Sequence, residues 1–107
     1  MRVPANDGVR VLEVASTWAG PRCGCLLADY GADVVKVELR GSPDVAHRLP
    51  PFLEDADPPV SFFDAAVNRN KRNIALDLKR PEGRDVFLEL ARDADIVVQN
   101  YRTGRMA

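Results

Sequence analysis

Apolar residues along the chain fall into short runs divided by turn-forming clusters, and the period of the runs alternates. Val9-Arg10-Val11-Leu12-Glu13-Val14-Ala15 is short and β-branched, which predicts a strand. Ser16 to Gly20 breaks the pattern. Pro21 suits the first helical position, because its missing N–H would be unpaired there. Cys23, Leu26, Leu27 and Tyr30 follow at helical spacing, and Gly31 is a natural left-handed C-cap. Asp33 to Leu39 predicts a second strand. From Arg40 to about Pro59 the chain is loop-like, with Gly41, Pro43, Pro50, Pro51, Pro58 and Pro59, and a connection this long is commonly functional or mobile. A short helix over Ser61 to Val67 comes next, followed by a basic turn from Asn68 to Asn73 and a third strand over Ile74 to Leu78. Pro81 and Glu82 open another helix with Val86, Phe87, Leu90 and Ala91 as its buried stripe. Ile96-Val97-Val98 predicts the last strand, and Asn100 to Gly104 has the character of a strand-to-helix turn.

Strands alternating with helices imply parallel strands joined by crossovers. The predicted class is therefore α/β, a Rossmann-like open parallel sheet of about four strands. Most of its strands lack clean polar alternation, as expected where helices cover both faces. The sequence stops where a strand-to-helix connection begins, so residues 1–107 are expected to be the N-terminal part of a larger domain, incomplete at the C-terminal end.

Composition narrows the function classes. The chain is 46% hydrophobic and 29% charged, ordinary for a globular protein. Fifteen basic and sixteen acidic residues leave a formal charge of -1, which gives no reason to expect nucleic acid or an anionic membrane as partner. The apolar runs are far shorter than the roughly 20 residues of a membrane span. Met1 to Gly8 lacks the apolar core of a signal peptide, so the expected location is cytoplasmic. Cys23 and Cys25 lie two apart on a helix, which disfavours a disulfide, and both are read as packing residues. With one histidine, His47, they cannot close a zinc site, and no metal is expected. His47, in a proline-rich loop beside Asp44 and Arg48, reads as a solvated surface residue.

In an open parallel sheet, ligands settle beyond the carboxyl ends of the strands, where the strand order reverses. The turns concerned begin at Ser16, Leu39, Lys79 and Asn100. Gly20 permits close backbone approach ahead of a helix N-terminus, and Arg40, Lys79 and Arg102 are charge-assisted donors suited to phosphate. Asn100 can donate and accept, and Tyr101 offers an aromatic face to a flat base. There is no G-x-G-x-x-G after the first strand and no P-loop, which disfavours a dinucleotide or nucleoside triphosphate of the usual kind. Arg69, Lys71 and Arg72 form the densest positive cluster, for which a solvated turn and an anion contact are evenly matched. Asp77 reads as an ionic or turn-capping residue. No catalytic constellation emerges.

Taken together the motifs carry more. Gly8-Val9-Arg10-Val11-Leu12-Glu13-Val14, Ala19-Gly20-Pro21, Leu26 to Glu38, Asn68 to Lys79, Pro81-Glu82-Gly83 and Ala94 to Arg102 occur in that order. The series resembles the opening of the class III CoA-transferases, a family that includes formyl-CoA and carnitine CoA-transferases and alpha-methylacyl-CoA racemase. The resemblance runs from about Gly8 to Gly104. It implies a CoA-binding Rossmann-like domain from a longer enzyme that forms interlocked homodimers when complete. It implies coenzyme A or an acyl-CoA as substrate, with a carboxylic acid as the second reactant. It also implies that Trp18, Leu76, Lys79, Asn100 and Tyr101 lie near the CoA. The family arginine that often follows the second strand is Leu39 here, and the arginine stands one later, at Arg40. Further departures are Asn73 for Ser, Gln99 for Glu and Thr103 for Pro. In the transferases an aspartate attacks the thioester and passes through a mixed anhydride, whereas the racemase moves the α-proton with a His and Asp pair. Either catalyst would fall beyond residue 107, so no catalytic residue is assigned in this chain. The alternatives are a racemase-type fragment and a short non-catalytic chain that binds CoA or a partner.

Overall fold

The computed structural model describes residues 2–106. Four parallel strands, β1 (Arg10–Val14), β2 (Asp33–Leu39), β5 (Arg72–Leu76) and β6 (Ile96–Gln99), form a sheet in the order β5-β2-β1-β6. A two-stranded antiparallel hairpin, β3 (Phe52–Leu53) with β4 (Val60–Ser61), lies within the proline-rich connection after β2. The chain moves outward from β1 to β2 to β5, then returns across β1 to form β6. Strand order therefore reverses between β1 and β6. That is the Rossmann-like class read from the sequence.

Helices α1 (Ala19–Asp29) and α2 (Phe62–Asn68) pack on each other, and α1 lies over β1 and β2. Helix α3 (Pro81–Asp93) packs on β1 and β5. The alternation of side chains along β1 separates the two faces. Val11 joins Ala28, Ala32 and Val34 with Leu27 of α1 against them. Leu12, Val14 and Val37 form the other cluster, covered by Phe87, Leu90 and Ala91 of α3. Burying each of these larger side chains is worth roughly 1.5–3 kcal/mol.

Of the apolar residues that reveal α1 in the sequence, only Leu27 packs against the core, and it is half-buried. Gly20, Pro21, Gly24, Cys25 and Ala28 face the sheet, while Cys23, Leu26 and Tyr30 are exposed. Cys25 is thus the packing residue expected, and Cys23 is not. The reason is close approach: a Cβ added at Gly24 would overlap Glu13 Oε2 on β1 and meet its Cδ at 3.0 Å. Only the small side of the helix fits over the charges beneath it. Helix α1 also begins two residues before Pro21, and it ends as expected, with Gly31 at φ +104° and the N–H groups of Tyr30, Gly31 and Ala32 bonded back to Leu26, Ala28 and Leu27. On α3 the stripe is partly borne out. Phe87, Leu90 and Ala91 pack against the cluster, while Val86 is exposed.

The connection after β2 is structured. It contains a 3-10 turn, Val45–Arg48, capped by Asp44 through the Ala46 N–H. Ser61 caps α2 by accepting from the Asp64 N–H. Gly83 opens α3 against the backbone of Asp77, where a Cβ would overlap the Asp77 carbonyl oxygen.

Candidate functional site

At the carboxyl end of β1 the backbone is held by side chains at successive groups. The Asn100 amide, from the end of β6, accepts from the Ser16 N–H at 3.0 Å and donates to the Ser16 carbonyl at 2.8 Å. This reciprocal pair ties β1 to β6 at the point where strand order reverses, the place where such sheets bind ligands. Trp18 follows as the residue before α1, 53% exposed, with its ring 5.4 Å from that of Phe63. Gly20 is required by proximity, since a Cβ there would overlap that of Ala15 and meet Asn100 Cγ at 3.2 Å.

A second group lies at the carboxyl ends of β2 and β5. Leu39, Arg40, Gly41, Ser42, Leu76, Asp77, Leu78, Lys79 and Arg105 line a cleft of roughly 320 Å³, within the range of small-ligand pockets. The Arg40 N–H donates to the Leu76 carbonyl, and the Asp77 carboxylate caps the Lys79 N–H, as read from the sequence. Among the described residues no carboxylate lies within salt-bridge distance of Arg40, Lys79 or Arg105. Three cations around one concave surface favour an anion there. Arg105, rather than Arg102, supplies the third. A turn from Arg102 to Arg105, with Gly104 at φ +84°, brings it back over the cleft. Sequence spacing does not reveal such a reversal.

Tyr101 sits differently from the open aromatic platform expected of it. It packs against the core cluster beneath α3, and burial pushes its phenol pKa up. Of the sequence-derived site residues, the structure therefore places Trp18 and Asn100 at the β1–β6 end. It places Arg40, Leu76 and Lys79 together at the β2–β5 end, and Tyr101 half-buried against the α3 side of the sheet.

The structure also holds a buried charge network. Glu13 and Lys36 are register partners on β1 and β2, 0% and 1% exposed, with Lys36 Nζ 3.0 Å from Glu13 Oε1. Lys36 donates as well to Asp44 Oδ2 at 2.8 Å and to the Ala15 carbonyl at 3.2 Å, so all three of its N–H groups are used. Lys71 reaches the other oxygen of Glu13 at 2.7 Å as an ion contact without hydrogen-bond geometry, and it donates to the Pro21 carbonyl and Asn68 Oδ1. Burial opposes the charge on Lys36, but hydrogen bonds and charges from Asp44 and Glu13 outweigh it and hold its pKa above the ordinary value. For Lys71 burial wins, and the pKa is lowered. For Asp44 burial again opposes ionisation, yet Lys36 and the N–H groups of Ala46 and Thr17 bring its pKa down. The signal in the sequence was a charge of each sign set inside an apolar strand.

The basic turn is engaged too. Lys71 points inward, Arg69 and Asn70 grip Asp29, and Arg72 pairs with Asp33. Only Lys71 is withdrawn from solvent; Arg69 and Arg72 remain exposed while paired with Asp29 and Asp33. His47, read as a solvated residue, is bracketed by Glu38 through Nε2 at 2.6 Å and by Asp64 through Nδ1 at 2.9 Å. Burial lowers its pKa, but the two carboxylates outweigh that, and the net direction is upward. Among the described residues no cluster of metal-ligating side chains has a geometry to hold an ion, and no helix is long and apolar enough to cross a membrane.

Comparison with known proteins identifies the family. The model of CoA-transferase family III matches residues 7–107. The chain belongs to CoA-transferase family III. It is 47% identical over 104 residues to a succinyl-CoA:mesaconate CoA-transferase of Haloarcula hispanica, covering 95% of the chain and 26% of that protein. It is 43% identical over 100 residues to a formyl-CoA:oxalate CoA-transferase of Rhodopseudomonas palustris, covering 94% of the chain and 23% of the relative. A CAIB/BAIF family protein from Brucella suis superposes with a TM-score of 0.85 at 37% identity, over 96% of the chain and 27% of that structure. This family III chain therefore spans about a quarter of the length of the relatives it matches, and its fold is shared with the Brucella suis structure.

Proposed function

We propose that this chain is the CoA-binding N-terminal part of a transferase that moves CoA between an acyl-CoA and a carboxylic acid. The observation that carries the reading is the line of groups at the carboxyl edge of the sheet. The Ser16–Trp18 turn sits where strand order reverses, and the cleft bounded by Arg40, Lys79 and Arg105 sits beside it at the ends of β2 and β5. CoA is an elongated polyanion with a thiol arm, and a cationic cleft joined to a close-approach turn suits its two ends. Arg40, Lys79 and Arg105 meet phosphate oxygens as charge-assisted donors, each worth roughly 1.5–3 kcal/mol. Leu76 lines the same cleft as an apolar wall, and Trp18 and Asn100 border the path of the thioester arm.

The aspartyl nucleophile of such a transferase lies outside these residues. Asp44 is buried, and both its oxygens are occupied by Lys36, Thr17 and Ala46. Asp77 turns its carboxylate back onto its own loop at Lys79. Neither is placed to attack a thioester. The test uses the complete gene product, incubated with succinyl-CoA and free dicarboxylic acids, with mass spectrometry of the thioesters formed. The expected result is CoA transfer to at least one acid, with Arg40→Ala and Arg105→Ala each weakening CoA binding about tenfold or more. Absence of both exchange and CoA binding would refute the reading. Solvent deuterium appearing at the α-carbon of a branched acyl-CoA, without exchange, would replace it with a racemase.

A further inference from the structure

Thr17 has φ +70°, in the left-handed region, although it is β-branched and carries no glycine-like freedom. A threonine there is a genuine outlier, and such outliers persist only where the surroundings over-determine them. The surroundings are on hand. Asp44 Oδ1 accepts from the Thr17 N–H at 2.9 Å and from the Ala46 N–H at 3.0 Å, while its Oδ2 is held by Lys36 Nζ at 2.8 Å. Lys36 is itself fixed by Glu13 and by the Ala15 carbonyl. With Asn100 bonded to both polar groups of Ser16, every backbone group from the Ala15 carbonyl to the Thr17 N–H is clamped by a side chain. Three separate segments supply those clamps: β2, the connection after it, and the end of β6.

The degree of clamping exceeds what a connection needs in order to lead a strand into a helix. What the left-handed residue changes is the course of the turn on which Trp18 and the start of α1 are carried. Among the described residues, no acceptor meets the N–H groups of Ala19 and Gly20 at that start.

We infer that Asp44, anchored by Lys36, is a positioning residue for CoA thioester binding, acting by holding Thr17 in the left-handed conformation that shapes the Ser16–Trp18 turn. The inference rests on the CoA reading given above. Asp44 touches no ligand in this scheme, and its effect is transmitted through one backbone N–H. It draws its rigidity from a carboxylate kept ionised in the interior by Lys36.

The experiment compares Asp44→Ala in two backgrounds of the complete gene product, one with the native Thr17 and one carrying Thr17→Gly. Calorimetry with CoA gives the affinity, and thermal denaturation gives the stability. With Thr17, Asp44→Ala weakens CoA binding by about tenfold, the population penalty of a left-handed backbone for a residue that bears a Cβ. With Thr17→Gly, the same change weakens binding by about threefold or less, because glycine adopts that conformation at no steric cost. Thermal stability falls in both backgrounds, since Lys36 loses its partner in each. An equal loss of affinity in the two backgrounds would show that Asp44 supports the fold and does not position the turn. If Asp44→Ala fails to fold with Thr17, Asp44→Asn replaces it, because its amide keeps one oxygen to accept from Thr17, and retained affinity is then expected. Loss of affinity in a folded Asp44→Asn variant, unrelieved by Thr17→Gly, overturns the inference. Failure of the unaltered protein to bind CoA would instead remove the CoA reading, and this inference with it.

Discussion

Replacing a helical glycine by alanine ordinarily stabilises a protein, and at Gly24 the structure requires the opposite. On an open helix surface Gly→Ala gains roughly 1 kcal/mol. At Gly24 the new methyl would overlap Glu13 Oε2 and meet its Cδ at 3.0 Å, while Lys71 Cε lies at ordinary contact distance. Glu13 cannot swing aside freely, because Lys36 holds one oxygen and Lys71 the other in a site closed to water. Overpacking alone costs roughly 1–3 kcal/mol. Displacing the carboxylate from one lysine adds part of the roughly 3–5 kcal/mol of a broken buried pair. After the helical gain is subtracted, Gly24→Ala is expected to destabilise by about 2–4 kcal/mol. Urea denaturation followed by circular dichroism reads this as a midpoint lowered by about 1 M or more. In a Glu13→Ala background the obstacle is gone, and the same change should become neutral or stabilising. A Gly24→Ala midpoint at or above that of the unaltered protein would refute the close approach of α1 to the buried carboxylate.

Gly20→Ala drives a methyl into Ala15 and Asn100 and should cost about 1–3 kcal/mol, with Ala15→Gly in the same chain recovering part of the loss in the same denaturation assay. His47 ties the 3-10 turn to β2 through Glu38, which also accepts from Asn73, and to α2 through Asp64, which also accepts from Asn68. Its pKa is raised in the folded state, so its contribution is full below its unfolded value near 6.5 and is lost as pH rises through the higher folded value. Stability curves taken between pH 6 and pH 9 should show that loss in the unaltered protein and not in His47→Gln; coincident pH dependence of the two would count against the bracket.

Much of the frame was legible in the chain. The β-branched runs at Val9 to Ala15 and Asp33 to Leu39, with Gly31 closing the helix between them, suffice to predict parallel strands and a crossover, because these signals are local. The ordered motifs from Gly8 to Gly104 likewise pointed to the family that the comparisons establish. The third strand begins two residues earlier than its apolar run suggested, since Arg72 and Asn73 complete the ladder with β2 despite their polarity. Asp77 was correctly read as a turn cap because it bonds only two residues away.

The remainder depends on contacts between segments distant in sequence. Nothing local distinguishes the face of α1 that carries Gly24 from the face that carries Leu26. The choice is made by Glu13, which lies below the helix on a different element. His47 reads as a loop residue until the fold brings Glu38 and Asp64 to its two nitrogens, and Arg105 reads as a terminal charge until the turn at Gly104 folds it over the cleft. The sequence by itself determined the strands of the main sheet, the α-helices between them, their order and the family, because propensity, capping and motif order act over a few residues at a time. Only the tertiary structure decided which charges are buried together, and how Asp44 comes to hold Thr17, because an ion pair in the interior exists only once the strands that carry its halves are side by side.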